Sequence, residues 1–86
     1  MANIRIRYWA AAKEAAGLAE EPVSAATLAE ALDIARNLHG DNPRFAAVLA
    51  RSSVLVDGTQ AGRRAADAVL LGDGCVVEVL PAFAGG

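Results

Sequence analysis

Residues 75–81, Cys75-Val76-Val77-Glu78-Val79-Leu80-Pro81, decide the fold. The run is apolar on both faces except at Glu78, which is the pattern of a strand inside a sheet rather than at its edge. Gly72-Asp73-Gly74 supplies a turn before it. Pro81 has no amide to donate, so pairing on that side is expected to stop there. A strand of this kind needs neighbours, and the rest of the chain offers them.

Ile4-Arg5-Ile6-Arg7-Tyr8-Trp9 alternates with period two, the signature of a strand with one buried face. Ile4, Ile6 and Tyr8 point inward, and Arg5, Arg7 and Trp9 share the outer face. Glu21-Pro22-Val23-Ser24 reads as a short strand, with Pro22 directing it to a sheet edge. Ser53-Val54-Leu55-Val56 reads as another, closed by Asp57-Gly58, a strong hairpin signal.

Between the strands, Ala10 to Ala16 makes a turn or two of helix stopped by Gly17. The main helix begins at Thr27-Leu28-Ala29-Glu30, a capping box in which hydroxyl and carboxylate each satisfy one free amide. Leu28, Ala31, Leu32, Ala35 and Leu38 then form one apolar stripe. His39 and Gly40 close it, and His39 is favourably placed against the helix dipole. Asn42-Pro43 opens a further short helix through Phe45, Val48 and Leu49. One amphipathic helix laid on one face of a sheet is an α+β arrangement.

At 86 residues the chain is long enough for one core and too short for two. The net charge of −2 argues against non-specific nucleic-acid binding. Arg63-Arg64, the one adjacent basic pair, fits a solvated turn. No run approaches the ~18 apolar residues of a membrane span, and no signal-peptide core precedes the first strand, so a cytoplasmic protein is expected.

Catalytic groups are scarce. His39 is the sole histidine, so neither a histidine triad nor a multi-histidine metal site can be assembled. Cys75 opens an apolar strand and reads as a packed thiol. The glycines at 58, 62, 72 and 74 lack phosphate-loop spacing. No metal site and no catalytic residue of the chain's own is expected.

Two features exceed what a self-contained globule needs. With Val77 and Val79 facing the core, Leu80 points outward with Trp9. If the first and last strands are neighbours, these two form an exposed apolar patch beside the tail, a contact surface for a partner. Glu78 then faces Arg5 or Arg7. The tail itself, Pro81-Ala82-Phe83-Ala84-Gly85-Gly86, spans at most ~20 Å when extended. Two glycines without Cβ allow it to thread a narrow tunnel. A free Gly86 carboxylate is ionised at neutral pH and a poor electrophile, so it reacts only once activated, most simply as an acyl-adenylate.

These residues resemble the small, sulfur-carrying subunit of molybdopterin synthase, within the ubiquitin-like β-grasp superfamily. The opening strand with Lys13-Glu14, Val54-Leu55-Val56-Asp57-Gly58, Leu71-Gly72-Asp73-Gly74-Cys75-Val76-Val77 and the tail from Leu80 to Gly86 carry the likeness nearly end to end. Cys75 and Val76 stand where the family usually has acidic residues. Ala82 replaces a proline, and Phe83 a smaller apolar residue.

The resemblance implies a β-grasp domain over residues 1–80, with a mixed sheet of about five strands, one main helix and short helices, and a flexible tail over 81–86. It also implies a cycle. An ATP-dependent activating enzyme adenylates Gly86, sulfur transfer makes a thiocarboxylate, and the tail delivers sulfur to a pterin precursor in the large catalytic subunit of the synthase, in a heterotetramer. Gly85 is the neck, Pro81, Ala82, Phe83 and Ala84 the stem, and Trp9 and Leu80 the docking patch. The chain itself binds no cofactor; ATP belongs to the activating enzyme. Sulfur carriage for thiamine, cysteine or tRNA thiolation, or a role as ubiquitin-like modifier or binding module, are the alternatives.

Overall fold

The computed structural model describes residues 1–60 and 65–81. In chain order these form β1 (Ala2–Tyr8), α1 (Ala10–Ala16), β2 (Glu20–Ala25), α2 (Leu28–Leu38), α3 (Pro43–Ala50), β3 (Ser52–Val56), β4 (Thr59–Gln60), a 3-10 turn over Ala66–Ala68 and β5 (Val76–Pro81). The five strands lie in the order β2-β1-β5-β3-β4. β5 is therefore central, as its composition requires. It runs parallel to β1 and antiparallel to β3, while β2 and β4 pair antiparallel at the edges. Pro22 sits in the β2 edge, and Pro81 is the last residue of β5, opposite Ser52.

Local chemistry starts and stops the elements where the residues dictate. Thr27 Oγ1 accepts from the Glu30 amide at 3.2 Å, and Glu30 Oε1 accepts from the Ala26 and Thr27 amides at 2.9 and 3.3 Å. The Asn42 side chain accepts from the Arg44 amide at 3.0 Å, with Pro43 in the first turn of α3. Its Nδ2 also donates to the Ala15 carbonyl at 2.9 Å, tying α1 to α3. Asp57 and Gly58 both take positive φ, 50° and 83°, the primed turn that matches strand twist in a two-residue hairpin. The Asp57 carboxylate then accepts from the Val76 amide at 2.9 Å, fastening the hairpin to β5.

All three helices cover one face of the sheet. Ile6, Tyr8, Phe45, Val77 and Val79 are almost wholly removed from solvent. Each such side chain contributes about 1.5–3 kcal/mol by burial, large against the modest margin of a domain this small. On α2, Leu28, Ala31 and Ala35 are buried and Leu32 is packed against them, but Leu38 is 54% exposed. The stripe expected to run through Leu38 ends a turn early. The ring of His39, packed on Phe45 with centroids 4.7 Å apart, fills the space at that end instead. Arg63-Arg64 lies outside the described residues.

Candidate functional site

The sheet face opposite the helices brings Trp9 and Leu80 side by side. β1 and β5 are neighbours with Arg5 opposite Val76, Arg7 opposite Glu78, and Tyr8 opposite Val79. Trp9 is extended (φ −120°, ψ 151°), so it continues β1 one step and comes level with Leu80. Its amide donates to the Val79 carbonyl at 3.2 Å. Leu80 is opposite Ser53 and Glu78 opposite Leu55 on β3. The outward rows are therefore Trp9, Leu80, Ser53 and, beside it, Arg7, Glu78, Leu55.

Trp9 is 43% exposed, and Leu80 is half-buried. Leu55 and Val76 share this face and are half-buried as well, and neither stood out in the sequence. The signal was present for Leu55: in Val54-Leu55-Val56 three consecutive apolar residues cannot all face one core.

The charges on this face pair differently from the simple expectation. Glu78 does not bind Arg5 or Arg7; its Oε2 accepts from Trp9 Nε1 at 3.0 Å. Both arginines turn to the edge strand, where Arg5 Nη1 and Arg7 Nε reach the two oxygens of Glu20 at 2.8 and 3.2 Å. The reason is register. Glu20 lies opposite Arg7 on β2, and one carboxylate there accepts from two guanidinium groups at once. The hydrogen bond from Arg7, with Arg5 adding to it, holds the Glu20 carboxyl below its ordinary range. The indole is thereby fixed by its own cross-strand acceptor while its ring stays open to solvent.

Next to Trp9 the surface forms an open hollow of about 750 Å³ between the indole, Lys13 and Glu14 of α1, and Leu18. Gly17, with φ +82°, makes the turn that closes it below.

The remaining reactive types are used structurally. Burial, reinforced by Asp57, pushes the Cys75 thiol up, away from the thiolate that a nucleophile requires. His39 Nε2 lies 2.7 Å from Glu21 Oε2, and Tyr8 Oη donates to the same oxygen. Among the described residues no three His, Cys, Asp or Glu side chains gather as a metal site. The expected tail residues Ala82, Phe83, Ala84, Gly85 and Gly86 lie outside the described residues; Pro81 is half-buried where β5 ends.

A mixed five-stranded sheet with parallel central strands β1 and β5, grasping helices on one face, is the ubiquitin-like β-grasp roll. Solved structures share it over nearly their whole length. Small archaeal modifier protein 1 from Methanosarcina acetivorans superposes with a TM-score of 0.82 at 22% identity, covering 100% of this chain and 98% of that one. A putative molybdopterin converting factor subunit 1 from Pyrococcus furiosus gives 0.78 at 20% identity, covering 96% and 100%. In the complex of subunits 1 and 2 of molybdopterin-converting factor from Helicobacter pylori, the matching chain gives 0.68 at 19% identity, covering 98% and 99%. No curated protein matches the chain in sequence. The sequence matches the ThiS family over residues 6–86, and the chain belongs to that family of ubiquitin-like sulfur carriers.

Among the described residues no helix is long and apolar enough to cross a membrane.

Proposed function

We propose that this chain is the sulfur carrier of molybdenum cofactor biosynthesis, with Gly86 as the covalent carrier. The observation that carries the reading is the family match through Gly86 on a body whose strand β5 ends at the Trp9 end of the sheet. An ATP-dependent enzyme converts the Gly86 carboxylate into an acyl-adenylate. Sulfur displaces AMP to give the thiocarboxylate, which is a far better nucleophile than the carboxylate toward a pterin precursor. The chain supplies no catalytic group to either step. Its contribution is a stem of Pro81 to Ala84, a neck at Gly85, and the Trp9–Leu80 face that seats the body on the large subunit while the tail reaches its active site.

The Helicobacter and Pyrococcus likenesses support this pathway, and the former is a complex with a second subunit. The likeness to a small archaeal modifier protein supports a second reading, in which the same activated glycine is passed to a protein amine. The two are separated by co-purification from cells with tagged protein. Recovery of a molybdopterin synthase large subunit is expected, and deletion of Gly85-Gly86 should abolish synthase activity while leaving that recovery intact. Full synthase activity of the deletion variant would end the proposal.

A further inference from the structure

Trp9 is the sole tryptophan of the chain, and it is held by its backbone and its ring alike. Its amide donates to the Val79 carbonyl at 3.2 Å, and its carbonyl accepts from the Ala12 and Lys13 amides at 3.0 and 3.3 Å. Its Nε1 donates to Glu78 Oε2 at 3.0 Å. Ala10 follows with φ 48°, a left-handed conformation that an alanine adopts only at a cost. That turn carries α1 off the line of β1 and leaves a hollow between the indole and Lys13, Glu14 and Leu18. Backbone strain that keeps a ring uncovered points to something that comes to lie on the ring.

Charge decides what that is. Glu78 is half-buried and accepts from the indole N–H, which pushes electron density into the ring and makes its faces more attractive to a cation. Glu14 adds a second carboxylate at the rim. It is exposed and has no ion-pair partner among the described residues. Against these stands Lys13, whose ammonium, on a flexible four-carbon stem, is free to turn to water while the stem stays in the wall. An anion drawn by Lys13 would meet both carboxylates and the negative face of the ring. A planar guanidinium meets the reverse: an aromatic face to stack on, a carboxylate for its fork, and apolar walls in Leu18 and the Lys13 stem for its methylenes.

Resting on the docking role proposed above, we infer that the hollow beside Trp9 seats an arginine side chain of the docking partner. The guanidinium lies on the indole and pairs with Glu14, while Glu78 holds the ring in place and enriches it. Glu14 is then a specificity residue, favouring a partner with arginine at this point over one with an acidic or apolar residue there.

A single indole N–H signal reports the site by nuclear magnetic resonance. The full chain, isotope-labelled, is titrated with N-acetyl-arginine methylamide and separately with the lysine and glutamate analogues. The arginine probe should move the Trp9 indole and Glu14 amide signals to saturation, with the lysine analogue at least about threefold weaker and the glutamate analogue inert. Glu14→Gln and Glu78→Gln should each weaken the arginine probe about threefold, the size of one exposed charge contact, with circular dichroism unchanged. Glu20→Gln, on the same sheet face but outside the hollow, should leave it unchanged. In the complex with the large subunit, an arginine Nε–H signal of that subunit should shift upfield under the Trp9 ring current, and not with Trp9→Ala at saturating concentration. Preference for the lysine or glutamate probe, arginine affinity indifferent to Glu14, or a complex with no shifted arginine signal would each overturn the inference. Absence of any complex would instead count against the large subunit as partner, with the titration still deciding the hollow. The titration uses no sulfur, ATP or second protein, so its failure leaves the carrier role of Gly86 standing.

Discussion

Trp9 Nε1 donates to Glu78 Oε2 at 3.0 Å across the parallel β1–β5 pair. The bond joins the residue just past the first strand to the middle of the last one. It fixes the indole on the outer face at the end of the sheet where β5 ends. An exposed aromatic ring held by one hydrogen bond loses little freedom on binding, which suits an anchor for a partner.

Trp9→Ala should therefore weaken binding to the large subunit by about 2 kcal/mol, within the range of buried interface tryptophans. Titration calorimetry checks it, with circular dichroism reporting an unchanged fold. Equal affinity for wild type and variant would remove Trp9 from the docking face.

Alkaline stability should depend on Tyr8. Burial, with the hydrogen bond and the charge of Glu21 adding to it, pushes its phenol well above the usual value of 10.0. A group raised on folding contributes stability that is fully present below its unfolded value and lost as pH climbs beyond it. Thermal melts should therefore show stability falling from about pH 10 upward. Tyr8→Phe, less stable at neutral pH because Glu21 loses a donor, should lack this tyrosine-linked component of the decline.

Acid stability should depend on Glu20 in the opposite sense. Its carboxyl is held low by Arg7 and Arg5, so its contribution is present above the unfolded carboxylate value and lost as pH falls. Glu20→Gln should melt below wild type at pH 7, and the gap should close near pH 3. High salt should narrow it as well, since the pair is solvent-exposed.

Thr27→Ala removes the hydroxyl that caps α2 and should cost about 1 kcal/mol in denaturant unfolding. Thr27→Ser, which keeps an acceptor there, should recover most of the loss.

What was legible in the chain followed from how local each interaction is. The Thr27–Glu30 box, the Asn42-Pro43 cap and the Asp57-Gly58 turn join residues within three positions, so residue types alone identify them. The central place of β5 followed from its apolar run, and its neighbour β1 from the alternation of Ile4, Ile6 and Tyr8. The side-chain contacts of Glu21 were not legible. Tyr8 and His39 meet one of its oxygens from 13 and 18 positions away, on different elements. The choice of Glu20 over Glu78 by the arginines depended on the β1–β2 register, which no short pattern encodes. Leu38 satisfied the helical period, yet α2 extends beyond the layer it covers.

The central claim is that Gly86 carries sulfur. It is tested most directly by the mass of the C-terminal peptide after incubation with the activating enzyme, ATP and a sulfur donor. The account predicts the increment of one oxygen exchanged for sulfur, confined to Gly86 and absent without ATP. A Gly86 carboxylate left unchanged under those conditions, with the enzyme shown to be active on another carrier, would contradict it.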